Sequence, residues 1–131
     1  NQAGIGRGYY TIDKFNHLTD WMSNRFAEQG AQIDAVYFCP HHPEMGVNEY
    51  LRHCDCRKPA PGMIRKAELE HSIDLKNSIL VGDHFSDVQA ANAAGIKTAI
   101  LIDEYLKPEL EPSYLIVPNL SSALKYFSDN V

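Results

Sequence analysis

Two short pairs constrain this chain more than any other feature: Cys39-Pro40-His41 and Cys54-Asp55-Cys56, with twelve residues between them. All three cysteines of the 131-residue sequence, and three of its six histidines, fall between Cys39 and Lys58. Thiolates and imidazoles concentrated in this way suit a soft, tetrahedral metal ion. Each pair can grip one ion from a tight turn, giving three sulfurs and one nitrogen, the pattern of a structural zinc site. Three unrelated cysteines are the bland alternative, but cysteine is usually buried among apolar groups, and this loop offers few. His41 is the first candidate for the nitrogen ligand, with His42 and His53 as competitors. An odd cysteine count with a Cys-x-Cys pair is a poor disulfide framework. Free thiols fit a reducing, cytoplasmic setting better.

The chain opens on Asn1-Gln2-Ala3-Gly4-Ile5-Gly6-Arg7-Gly8, read as a glycine-rich loop with no strand or helix. Such loops let backbone N–H groups approach an anion, although a flexible terminus looks the same. Thr11 is a good N-cap for a helix over residues 12–29. Phe15, Leu18, Met22 and Phe26, with Trp21 beside them, form one apolar face and are expected in the core. Ile33 to Phe38 reads as a short buried strand that delivers Cys39 at its end. Val47 to Leu51 suggests a turn of helix inside the metal-type loop.

Pro61 suits the first turn of a helix running to His71. Ser78 to Val81 is a second strand, ending at Gly82-Asp83. Ser86 can cap a helix over Asp87 to Ala94, which Gly95 ends. Lys97 to Ile102 and Tyr114 to Val117 are further strands, joined by a loop from Asp103 to Pro112. Ser121 or Ser122 starts a last helix through Phe127. Helices alternating with short apolar strands predict a single α/β domain over residues 1–131 with a mostly parallel sheet. In such sheets function gathers beyond the carboxyl ends of the strands. Cys39, Asp83 and the Arg57-Lys58 pair all fall at that kind of position.

Asp83 follows a strand end and Asp87 comes four residues later as a helix begins. A carboxylate presented there suits Mg²⁺, which takes a few protein oxygens plus phosphate and water. Asp87 is read as a brace for the loop, since acids are favourable at helix starts. An arginine fork at Arg57 can clamp phosphate and Lys58 can act on it as a point charge, although a solvated pair is the commoner reading of two adjacent cations. The net charge of -5 excludes a general nucleic-acid binder, and 44% apolar with 22% charged residues is ordinary for a soluble domain. No run of eighteen apolar residues calls for a membrane.

These stretches resemble phosphatases of the haloacid dehalogenase superfamily, nearest to the D-glycero-D-manno-heptose 1,7-bisphosphate phosphatase and histidinol-phosphatase group. The resemblance rests on Asn1 to Gly8, Cys39-Pro40-His41-His42-Pro43, Cys54-Asp55-Cys56-Arg57-Lys58-Pro59 and Gly82-Asp83-x-x-x-Asp87, and covers nearly the whole chain. It implies a Rossmann-like three-layer sandwich with a zinc loop inserted after a strand. It implies that Lys58 neutralises the transferring phosphoryl group and that Arg57 holds the substrate's other phosphate or hydroxyls. Asp83 matches the Mg²⁺ aspartate, and Asn1 and Gln2 the pair after the phosphate-binding hydroxyl residue. Cys39, His41, Cys54 and Cys56 match a structural zinc site that shapes a loop and does not activate water.

The sequence departs from the family pattern twice. No Asp-x-Asp-Gly strand is present, so the phospho-aspartate nucleophile is expected outside these residues, with roughly fifty N-terminal residues and two central strands missing relative to the family. The strands before Cys39 and before Asp83 are then expected not to pair directly. His84 stands where heptose enzymes place lysine and histidinol-phosphatases arginine, so the choice between those substrates stays open, with Cys39 to Pro43 and Asn1-Gln2 favouring heptose. The expected parent is a cytoplasmic, monomeric phosphatase using Mg²⁺ and structural Zn²⁺ on a small phosphorylated sugar, with no nucleic-acid or membrane partner. A non-catalytic, zinc-stabilised sugar-phosphate-binding module is the alternative.

Overall fold

A strand buried on both faces must be apolar along its buried length, and Ala99-Ile100-Leu101, flanked by Thr98 and Ile102, meets that requirement. In the computed structural model, which describes residues 1–105, 109–111 and 113–130, this segment is the interior strand β2 (Thr98–Ile102) of a four-stranded sheet. It lies between β1 (Ile79–Gly82) and β4 (Tyr114–Val117), and both pairings are parallel. The edge strand β3 (Glu109–Glu111) runs antiparallel to β4, with Leu110 opposite Leu115. The chain divides into two compact units, Asn1–Arg57 and Lys58–Val131. The sheet belongs to the second.

Alternation along β2 sends its side chains to two cores. Ala99 and Leu101 pack with Val88, Ala91 and Ala94 of α4 (Phe85–Ala94). Ile100 packs on the other face with Val117 and with Ala123 of α5 (Leu120–Asn130). The alanines of α4 leave no room for water and let its backbone approach the sheet closely. Gly95 ends α4 at φ +85°, a left-handed conformation that glycine adopts without a Cβ penalty. α3 (Gly62–His71) packs against α4. Helices on both faces of a mostly parallel sheet give the three-layer architecture the sequence predicts.

The first unit has little regular structure beyond α2 (Ile12–Glu28), which Thr11 caps by accepting the Lys14 N–H at 3.2 Å. Five expectations need correction. The opening stretch is not a plain loop, because Ala3–Gly6 forms a single helical turn, α1. Ile33 to Phe38 forms no strand, because a strand needs a partner for its N–H and C=O groups and this segment has no ladder among the described residues. β1 is an edge strand of the sheet among the described residues. Of the apolar face of α2, Phe15 is buried, its ring 4.5 Å from that of Phe38, but Leu18, Trp21 and Phe26 are 61%, 58% and 49% exposed. Helical spacing shows which residues share a face; it does not supply the surface that covers them. His84, not Ser86, caps α4, since its Nδ1 accepts the Ser86 N–H at 3.3 Å. The segment from Asp103 to Pro112 contains β3, and its two prolines, Pro108 and Pro112, lie outside the described residues.

Ile100 is fully buried in the sheet interior. Ile100→Ala is expected to lower unfolding stability by about 2–5 kcal/mol, the cost of a cavity plus lost transfer energy. A urea midpoint no lower than that of the unaltered protein would contradict this packing.

Candidate functional site

The metal-type cluster forms within the first unit. Cys39 Sγ lies 3.5 Å from Cys54 Sγ and 3.2 Å from Cys56 Sγ. His41 Nδ1 lies 3.6 Å from Cys39 Sγ and 3.3 Å from Cys56 Sγ. All four ligand atoms fall within 4.8 Å of one another. A tetrahedral zinc ion with bonds of about 2.3 Å to sulfur spaces its ligands about 3.5–3.8 Å apart. The cluster therefore fits zinc, and its sulfurs are too far apart for a disulfide bond of about 2.05 Å.

Local structure explains why His41 joins the cluster and its neighbours do not. The ring of His42 is turned inward, where Nδ1 accepts the backbone N–H groups of Glu44 at 3.1 Å and Met45 at 2.9 Å. Its backbone N–H bonds the Tyr50 carbonyl at 3.0 Å and closes the neck of the loop. The short 3₁₀ turn Asn48–Tyr50 lies inside that loop. His53 is outside the ligand group.

Electrostatics in the metal-free cluster disfavour three thiolates together. Burial raises the Cys39 thiol, and burial with the neighbouring Cys39 and Cys54 sulfurs pushes Cys56 up to about 12. Burial also works against ionisation of Cys54, but hydrogen bonds from Cys56, Cys39 and the backbone outweigh it and lower its pKa. A divalent cation compensates such a set, which must lose its protons to bind. Burial and the Arg52 guanidinium lower the pKa of His41, keeping it in the neutral form a metal requires. Arg52 also approaches Nε2 at 2.7 Å. Arginine has no acceptor, so that contact puts the ring proton on Nδ1. A metal held by Nδ1 would require the ring proton on Nε2, where Arg52 could no longer donate.

The same loop holds the opening segment. The Gln2 N–H donates to the Cys39 carbonyl at 2.8 Å, and the Val47 N–H to the Gly6 carbonyl at 2.7 Å. A Cβ on Gly6 would collide with the Pro40 carbonyl, so only glycine allows this approach. Arg57 donates to the His41 carbonyl at 3.2 Å. Asn1, Gln2 and Arg57 are thus all in the metal-bearing unit.

The second unit brings Lys58, Asp83, His84 and Asp87 toward the end of β1. Asp87 is 5% exposed. Its Oδ1 forms an ion pair with Lys58 Nζ, and its Oδ2 accepts the His84 N–H at 3.0 Å. Gly82 makes room for that carboxylate, since a Cβ there would collide with the Asp87 side chain. Both Asp87 oxygens are engaged, which suits a brace. Asp83 is exposed and borders a cleft of about 450 Å³ with Ile102, Asp103, Pro118 and Asn119. Asp83, Asp103 and Pro118 directly follow β1, β2 and β4, so the cleft opens at the carboxyl ends of three parallel strands. Asp83 and Asp103 present the hard oxygens that Mg²⁺ takes. The sequence reading took Asp103 only as the start of a loop, although its place directly after an apolar strand was a usable signal.

A sequence profile of the HAD-hydrolase-like family matches residues 55–123. A D-glycero-alpha-D-manno-heptose-1,7-bisphosphate 7-phosphatase of Burkholderia mallei is 55% identical over 102 residues, 78% of this chain and 54% of its own. A D-glycero-beta-D-manno-heptose-1,7-bisphosphate 7-phosphatase of Escherichia coli K12 is 43% identical over 113 residues, 85% of this chain and 59% of its own. The chain thus spans about half the length of the curated relatives it matches. Among solved structures, a HAD-like phosphatase of Mesorhizobium loti superposes with a TM-score of 0.85 at 29% identity, covering 98% of this chain and 61% of that one. The D,D-heptose 1,7-bisphosphate phosphatase of B. bronchiseptica, complexed with magnesium and phosphate, gives 0.81 at 30% identity, covering 100% and 72%.

Zinc is expected to bind once per chain, and Cys39→Ser to weaken it more than about a hundredfold. Because burial raises the Cys39 and Cys56 thiols, which must lose protons to bind metal, affinity should fall as pH drops from about 8 to about 6. Competition titrations against a chromophoric chelator read both effects, and a pH-independent affinity would contradict the assignment. Chelation is also expected to speed hydrogen exchange at the Gln2 and Val47 amides. Unchanged protection there would show that the loop does not hold the opening segment.

Proposed function

The chain belongs to the haloacid-dehalogenase-like hydrolases, and we propose that its parent protein is a Mg²⁺-dependent phosphatase acting on D-glycero-D-manno-heptose 1,7-bisphosphate. The observation that carries this reading is the Lys58–Asp87 ion pair at the end of β1, beside the exposed carboxylate of Asp83. It is supported by relatives named as heptose bisphosphate phosphatases and by a structural neighbour holding magnesium and phosphate.

Phosphoryl transfer needs positioning and charge neutralisation more than covalent help from many groups. Lys58, held by Asp87, places a fixed ammonium where phosphoryl charge accumulates. Asp83 is the proposed protein ligand of Mg²⁺, an ion that would neutralise the remaining phosphoryl oxygens. Asn1 and Gln2 bind the phosphorylated end of the substrate. Arg57 takes the second phosphate or the sugar hydroxyls, and His84 contributes a further polar contact. Zinc on Cys39, His41, Cys54 and Cys56 is structural in this reading, since four protein ligands leave no open position for water. The aspartate nucleophile has no counterpart in the 131 residues. The chain is read as the C-terminal portion of one phosphatase domain, working as a cytoplasmic monomer with no nucleic-acid or membrane partner. No helix among the described residues is long and apolar enough to cross a membrane.

Phosphate release by the full-length gene product tests the proposal, with Mg²⁺ and either the heptose bisphosphate or histidinol phosphate as substrate. Turnover of the heptose substrate is expected, and Lys58→Ala or Asp83→Asn should lower kcat by roughly a hundredfold or more. Turnover of histidinol phosphate alone would reassign the substrate. Tight binding of the sugar bisphosphate without hydrolysis would make the protein a binding module.

A further inference from the structure

The opening segment contains a contact that the reading above does not use. Gln2 is anchored by its backbone to Cys39, and its side-chain Oε1 accepts a hydrogen bond from the Tyr10 hydroxyl at 2.5 Å. The contact is partly buried, and two features of the chain produce it. Gly8, at φ +76°, turns the backbone so that Tyr9 and Tyr10 fold back over α1, and the Tyr9 N–H bonds the Gly4 carbonyl at 2.8 Å. Gly4 lies directly under the Tyr10 ring, where any Cβ would collide with it.

A glutamine amide offers one oxygen acceptor and one NH₂ group with two donors. The two ends have nearly the same shape, so a free amide can turn either toward a ligand. Against a phosphate oxyanion only the NH₂ end attracts; the flipped amide would set two acceptors face to face. The Tyr10 hydroxyl donates to Oε1 and so holds the oxygen inward. Nε2 then remains as the group the side chain can offer outward.

We propose that Tyr10 is a positioning residue for substrate recognition: its hydroxyl holds the Gln2 amide so that Nε2–H donates to a phosphate oxyanion of the phosphorylated sugar. The proposal rests on the reading that Gln2 lies in the substrate site. Tyr10 itself touches no reacting atom, and Gly4 is the residue that admits it.

The test uses the full-length gene product and D-glycero-D-manno-heptose 1,7-bisphosphate. Tyr10→Phe keeps the ring and removes only the hydroxyl. It is expected to raise KM about tenfold with kcat within about twofold, because binding is lost uniformly. Gln2→Ala should give a similar rise, and the double variant should be no worse than Gln2→Ala, because the hydroxyl acts only through the amide. Gly4→Ala should reproduce Tyr10→Phe by displacing the ring. An unchanged KM in Tyr10→Phe, or multiplying effects in the double variant, would overturn the proposal. If the unaltered protein hydrolyses nothing, the functional reading fails, and the amide is read directly. Inorganic phosphate should then shift the Gln2 side-chain ¹H–¹⁵N resonances about tenfold less tightly in Tyr10→Phe than in the unaltered protein. Equal titration midpoints, or no shift at Gln2 in either protein, would overturn the inference on their own.

Discussion

Bringing three sulfurs and an imidazole nitrogen within 4.8 Å of one another is the condition on which the first unit depends. That unit buries few large apolar side chains, chiefly Ile5, Phe15 and Cys39, and one of those is a candidate ligand. A core that small contributes little by itself, and small modules of this kind commonly derive much of their folding free energy from a metal. Without the ion, the cluster must hold thiols whose ionisation burial opposes. With it, the same crowding becomes coordination. His42 and the 3₁₀ turn shape the rest of the loop by hydrogen bonds, so its geometry comes from polar groups that are each satisfied.

The second unit solves a different problem. Its sheet is stabilised by apolar burial on both faces, which leaves the strand ends free for polar groups. Asp87 is the costly member, because a carboxylate removed from water must be compensated. The Lys58 ammonium and the His84 N–H compensate it, one at each oxygen. Lys58 therefore works twice, neutralising a buried charge and presenting a cation at the strand end. Removing one partner of such a pair typically costs about 3–5 kcal/mol, so loss of Lys58 is expected to lower stability whatever it does to activity.

Residues whose role depends on near neighbours were legible in the sequence. The spacing of Cys39, Cys54 and Cys56 suggests a tetrahedral site with His41 as first of three candidate nitrogen ligands, and Gly82-Asp83 marks a strand end. The strands β1, β2 and β4 are visible as apolar runs with turn residues at their ends. What escaped depends on distant partners. Ile33 to Phe38 has strand composition but no ladder, and composition cannot supply the neighbouring strand. Leu18, Trp21 and Phe26 have core spacing yet lie open to solvent. His84 was read for its charge, whereas its Nδ1 is engaged in capping α4. Tyr10 carries no motif signal at all, and its place over Gly4 follows only from the turn before it.

The bonds from Gln2 to Cys39 and from Val47 to Gly6 have a consequence for how metal and substrate sense each other. If the cysteines order the segment that grips the ligand, the two binding equilibria are linked, and linkage is reciprocal. Whatever factor zinc adds to the affinity for a ligand held by Asn1 and Gln2, that ligand must add to the affinity for zinc. Where that factor exceeds one, a saturated protein would hold its metal more tightly at equilibrium than an empty one, and the structural ion would report on occupancy.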